Sequence, residues 1–202
     1  MPYRISVIEI ALLIVFPLIL FYQRSRLTNK QSILYISWLY LAWFFSYACI
    51  HELSHMFGSW ITGAKISDYQ LIPPFWKGDF KTAYVNSVFE NKIQTGVSLI
   101  MPYFRDIGFL ITGLWLVKRK RTSNHFLSGL ILILFILSPL YDILNNYSGF
   151  ILRSSGDFKA LSMNFGNEYA HALGLLFSIT AVLFTLKIIV VFKSYPVLSI
   201  KK

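Results

Sequence analysis

The run from Ser32 to Ile61 is apolar along most of its length, and the ionisable residues that break it come together as His51-Glu52-Leu53-Ser54-His55. An apolar stretch this long predicts a helix, because a backbone without water around it must satisfy its N–H and C=O groups within the segment. Residues four apart on a helix stand about 40° from each other in projection, so both imidazoles can face one metal ion from one side. Glu52 stands about 100° round from His51, too displaced for an obvious ligand but able to meet a water molecule at the metal. The spacing therefore points to His51 and His55 as metal ligands, with zinc the expected ion, and to Glu52 as a catalytic base.

Ionisable groups at membrane depth cost roughly 2.5 to 3.5 kcal/mol each, so a helix that keeps three of them within five positions gives them a partner or a task. The rest of the chain shows that membrane depth is the relevant setting. Its 202 residues are 55% hydrophobic and only 14% charged, with a mean hydropathy of +0.57, too apolar for a soluble domain of this size. A net charge of +10 would suggest nucleic acid in a soluble protein. Here the basic residues lie between apolar segments, as membrane topology signals do, so the expected partner is a lipid bilayer and not nucleic acid. The single cysteine, Cys49, excludes an internal disulfide and a multi-thiolate metal site.

The expected fold is an all-α polytopic membrane protein forming one domain over residues 1–202, with about five transmembrane helices and a short β-hairpin-like loop after the metal-binding helix. A first, uncleaved helix is expected over 5–22, with Glu9 inside it and a kink at Pro17. A basic segment with Arg24, Arg26 and Lys30 follows. The second helix is expected over 32–62 with Gly63 as its stop, which places the motif one to two turns below the membrane surface. Prolines 73 and 74, the turn-like Lys77-Gly78-Asp79 and the alternation from Lys81 to Asn86 predict a hairpin or extended loop within 64–94. Further helices are expected over 95–117, interrupted at Pro102, over 125–144, and over 168–192, with a polar loop across 145–168. Arg105 and Asp106 are adjacent, so each is expected to find its partner on another helix.

If the basic segments Arg24 to Lys30, Lys118 to Arg121 and Lys193 to Lys202 face the cytoplasm, five helices alternate without contradiction. That alternation puts His51 and Asp157 on one side of the membrane. Catalytic zinc commonly keeps three protein ligands and one open position, so a third ligand is required. Asp142, Asp157, Glu168 and His171 all lie on the matching side. Asp157 is preferred, since a carboxylate in Ser155-Gly156-Asp157 beside a flexible glycine could reach into the bundle.

With His51-Glu52-Leu53-Ser54-His55 in a membrane helix, Thr62-Gly63-Ala64-Lys65 opening an extended segment, a Met101-Pro102 helix and a late aspartate, the sequence resembles the site-2 protease family of intramembrane zinc metallopeptidases. The resemblance implies that His51, His55 and an aspartate hold Zn²⁺, that Glu52 is the catalytic base, and that the loop after Gly63 guides a membrane-protein or membrane-adjacent peptide substrate. It also implies an integral, multi-pass protein of the cell membrane. The family's second motif has a proline upstream and a glycine after its aspartate, whereas Asp157 is preceded by Ser154-Ser155-Gly156 and followed by Phe158. The alternative is a non-catalytic protein that keeps the scaffold to bind or regulate a partner.

Overall fold

The computed structural model describes residues 30–74, 77, 83–119 and 125–194. The expected first helix with Glu9 and Pro17, the Arg24–Arg26 segment, the Gly78-Asp79 turn, Lys120-Arg121 and the terminal Lys201-Lys202 lie outside these residues. The described chain is mostly helical, in the order α1 (Lys30–Ile61), β1 (Lys65–Gln70), β2 (Tyr84–Val88), α2 (Lys92–Lys118), α3 (His125–Leu132), a π-helical turn (Ile133–Leu137), α4 (Ser138–Arg153), α5 (Asp157–Phe165) and α6 (Asn167–Ser194). Three helical stretches are long and apolar enough to cross a membrane: Lys92–Lys118, Gly129–Arg153 and Asn167–Val191. The five expected spans thus become three among the described residues, and α1 is not one of the three.

Helix α1 stops where the sequence places a glycine. Gly63 adopts φ +74°, and the Gly63 and Ala64 amides close back on the Trp60 and Ser59 carbonyls at 3.1 and 2.9 Å. This paired closure satisfies carbonyls that a helix end leaves open, and glycine reaches the left-handed conformation it needs at no steric cost. The chain leaves directly into an antiparallel hairpin in which Lys65 faces Val88 and Gln70 faces Tyr84, with an irregularity between Ile66 and Asp68. Across it, the Tyr84 hydroxyl donates to Asp68 at 2.9 Å, and that hydrogen bond pushes the hydroxyl pKa above its ordinary value. Two strands alone are marginally stable. These are held to α1 through Ser87 and Ser59, whose hydroxyls meet at 2.9 Å.

Helix α2 begins at a sequence-encoded cap. The Asn91 side chain accepts from the Gln94 amide at 3.0 Å, while the Gln94 side chain accepts from Glu90 N at 2.7 Å and donates to Thr62 O at the end of α1 at 3.1 Å. Asn91 thereby caps α2, while Gln94 holds the chain just ahead of the helix and fastens α2 to the end of α1. The expected break at Pro102 does not occur: α2 runs through it, as helices inside a bundle do when neighbouring groups satisfy the freed backbone.

The larger correction concerns residues 145–168. Read as a polar loop, they are helical to Arg153 and again from Asp157 to Phe165. The polar side chains that suggested a loop turn back onto the helix: Asn146 donates to Asp142 O at 3.2 Å and Ser148 to Asn145 O at 3.1 Å, so their polarity is spent internally. Only residues 154–156 separate the helices, with Ser154 at φ 49° and Gly156 at φ 85° reversing the chain. Before α4, the Ser138 amide bonds to the carbonyl five residues back, Ile133, and this wider turn ahead of Pro139 changes the face on which Tyr141 and Asp142 emerge.

The main core gathers Tyr103, Leu110, Ile143, Phe158, Ala181 and Ile188 from α2, α4, α5 and α6, all fully buried. A smaller cluster packs Trp43 of α1 against Ile133, Leu137 and Tyr141. Polar contacts start from both regions: Tyr103 of the first bonds to Asp157, and Tyr47, packed against the second, bonds to Asp142.

Candidate metal centre

His51 and His55 occur one turn apart on the buried face of α1, each 7% exposed, and their Nε2 atoms lie 3.1 Å from each other. Asp157, at the start of α5, closes the group: its Oδ2 is 3.2 Å from His51 Nε2 and its Oδ1 is 3.3 Å from His55 Nε2. Donors 2.0 to 2.1 Å from one tetrahedral ion stand about 3.3 to 3.4 Å apart. The separations of 3.1 to 3.3 Å come close to that spacing, with the carboxylate meeting the two nitrogens through different oxygens, so the group could hold a single small cation.

The outer nitrogens decide what the inner ones can do. His51 Nδ1 lies 2.8 Å from an Asp142 carboxylate oxygen and His55 Nδ1 lies 2.8 Å from the Ser98 carbonyl. Both partners only accept hydrogen bonds, so both Nδ1 atoms carry the proton. In neutral imidazoles this leaves two Nε2 lone pairs facing each other and a carboxylate, three acceptors with no donor among them. A proton on one Nε2 satisfies one pair, whereas a central cation satisfies all three. The donor set, two imidazoles and one carboxylate, is one that zinc takes in catalytic sites. Glu52 is half-buried, and a ligand atom from each of His51, Glu52 and His55 lies within 4.8 Å of the others. These residues could hold a metal ion.

Asp142, one of the four candidates for the third ligand, is brought to the centre but on the far side of the His51 ring. It is fully buried, and its Oδ2 accepts from His51 Nδ1 and from Arg105 Nη2 at 2.5 Å. Its Oδ1 accepts from the Tyr47 hydroxyl at 2.9 Å and from Asn146 Nδ2 at 2.9 Å. A carboxylate has about four lone-pair positions, and all four are used. His171 is exposed and engages Tyr147 and Phe150 instead, while Glu168 is exposed at the start of α6.

Several contributors escaped the sequence reading. The Tyr103 hydroxyl donates to Asp157 Oδ2 at 2.7 Å and its ring stacks on Phe158, centroids 4.7 Å apart, so the residue after Asp157 helps set where the carboxylate lies. Arg105 finds partners on other helices, as expected, and also pairs with its neighbour Asp106, which was not expected: its Nε and Nη2 reach Asp106 Oδ1 at 3.0 and 2.6 Å. The guanidinium is long enough to fold back onto its neighbour while also reaching Ile50 O at 2.9 Å, Ser54 Oγ at 3.0 Å and Asp142. An arginine fork joining three helices in an apolar setting was the available signal.

No family model, no curated protein and no solved structure matches this chain.

Proposed function

We propose that the protein is a zinc-dependent intramembrane metalloprotease, hydrolysing a peptide bond within or beside the membrane, similar in mechanism to the site-2 protease family. The observation that carries this reading is the convergence of His51 Nε2, His55 Nε2 and the Asp157 carboxylate at 3.1 to 3.3 Å with Glu52 one residue along the same helix. His51, His55 and Asp157 would hold the ion, which supplies Lewis acidity toward a peptide carbonyl and makes a nearby water more acidic. Glu52 takes the water proton as general base and passes it to the leaving amine. Asp142 and the Ser98 carbonyl keep both histidines in the Nδ1–H form, so that Nε2 stays free.

A peptide bond in a transmembrane helix is shielded by its own hydrogen bonds, so the substrate must unwind before attack. Among the described residues each strand of the hairpin pairs on one side only, which leaves an open edge where an extended segment could add as a further strand. The hairpin follows directly on the helix that carries His51, Glu52 and His55. The proposed setting is a multi-pass protein of the cell membrane with its basic segments toward the cytoplasm.

The test is Glu52→Gln in purified full-length protein. Zinc content should match wild type while cleavage of a transmembrane reporter peptide disappears. Proteolysis that survives the substitution would remove Glu52 from the reaction. A zinc-loaded wild type without hydrolytic activity would favour the non-catalytic alternative.

A further inference from the structure

The two histidines are fixed by unlike partners, and the partner of His55 traces to a residue that touches neither histidine in the hydrogen-bond network. In an α-helix the Ser98 carbonyl would accept from the amide of residue 102. Residue 102 is proline, inside a continuous helix, and has no N–H to give. The carbonyl thus left without its helical donor is the one that accepts from His55 Nδ1 at 2.8 Å. We propose that Pro102 is a positioning residue of the metal centre: by withholding an amide from α2, it reserves the Ser98 carbonyl for His55 and so holds His55 Nε2 toward the ion.

The surrounding contacts fit a carbonyl held open for this purpose. Ser98 is bound to residue 55 twice, since its hydroxyl donates to the His55 carbonyl at 3.1 Å while its own carbonyl takes the imidazole proton. The helices approach closely enough because residue 58 is glycine: a Cβ there would sit 2.8 Å from Ser98 Cα and 3.0 Å from Val97 O. Ser59 then spans the crossing, donating to Ser98 Oγ at 3.0 Å. Proline in a helix interior is strongly unfavourable relative to alanine, so its presence here is a local loss of helix stability matched by an interaction on the neighbouring helix.

This inference rests on the proposed metal site, and the two separate experimentally. In Pro102→Ala the restored amide competes with His55 for the Ser98 carbonyl. Zinc affinity, measured by chelator competition on the full chain, should fall about 10- to 100-fold, the range for loss of a partner that orients a ligand. The metal-free protein should unfold at the same or a higher temperature, because the helix regains a hydrogen bond. Long-range ¹H–¹⁵N spectra of labelled histidine should show one histidine leaving the pure Nδ1–H form. A merely structural proline predicts unchanged zinc affinity and unchanged tautomers, whatever the stability does, and that result overturns the inference. Should Pro102→Ala fail to fold, Gly58→Ala decides by lengthening the same contact from the other helix: weakened zinc binding supports the inference and unchanged binding overturns it. A wild type that holds no zinc removes the metal site itself, whatever the variants do.

Discussion

His51 and His55 are separated by one helical turn and face the same point, but their surroundings differ in kind. His51 is backed by a carboxylate, Asp142, that is itself held by Arg105, Tyr47 and Asn146, and the side of α1 leading to it packs through aromatic rings, with Tyr47 and Trp43 edge-on to Tyr141. His55 is backed by a bare carbonyl, Ser98, in a crossing built from glycine and serine. One histidine is oriented by charge at long range in sequence, and the other by main chain at close approach. Variants should therefore damage the two halves of the site in different ways.

The largest effect is expected where the halves meet. Asp157→Ala removes the group that faces both Nε2 atoms, and zinc affinity should drop by more than the roughly 100-fold upper range seen for partners behind a ligand; an affinity within tenfold of wild type would exclude Asp157 as the third ligand. On the His51 side, Asp142→Ala should weaken zinc about 10- to 100-fold. It should also cost about 3 to 5 kcal/mol of stability, because buried donors on Arg105, Tyr47 and Asn146 lose their acceptor, and Asp142→Asn should be destabilised as well, because its NH2 would face two of the four donors the carboxylate accepts from. Chemical unfolding of both variants checks this, and wild-type stability in either would mean that these donors do not depend on the Asp142 carboxylate.

Tyr103→Phe probes the carboxylate between the halves. Loss of one hydrogen bond to an ionised group, about 1.5 to 3 kcal/mol, sets the upper limit of the effect at roughly 10- to 150-fold weaker zinc binding, with the stacked ring on Phe158 retained. Smallest is Ser87→Ala, which releases the hairpin from Ser59. It should leave zinc affinity within about twofold and cost about 0.5 to 1.5 kcal/mol, while reducing peptide cleavage; a large loss of zinc would show that the hairpin anchor supports His55 directly.

How far the sequence foretold this arrangement varies by element. Gly63 ends α1 because a helix stop is a local signal, and the hairpin after it follows from alternation and proline placement. The pairing of His51 with His55 is legible from spacing alone, since helix periodicity is fixed. The helical run through Asn145, Asn146 and Ser148 was not legible, because their polar groups are satisfied by contacts within the fold that composition does not reveal. The preference for Asp157 over Asp142 rested on the flexible Gly156 alone, and the role of Asp142 behind His51 had no signal in the sequence. Which ring nitrogen each carboxylate meets is a matter of tertiary geometry. Pro102 is intermediate: its missing amide marks Ser98 O as free from sequence alone, but only the crossing of α1 and α2 shows what takes it.

The most direct test of the centre is X-ray absorption at the zinc edge on purified full-length protein, with Asp157→Ala beside it. The account predicts zinc in the wild type with two imidazole nitrogens and a carboxylate oxygen, all at about 2.0 to 2.2 Å, and loss of the metal or of the oxygen in the variant. A wild type that takes up no zinc, or a coordination sphere that Asp157→Ala leaves unchanged, would contradict it.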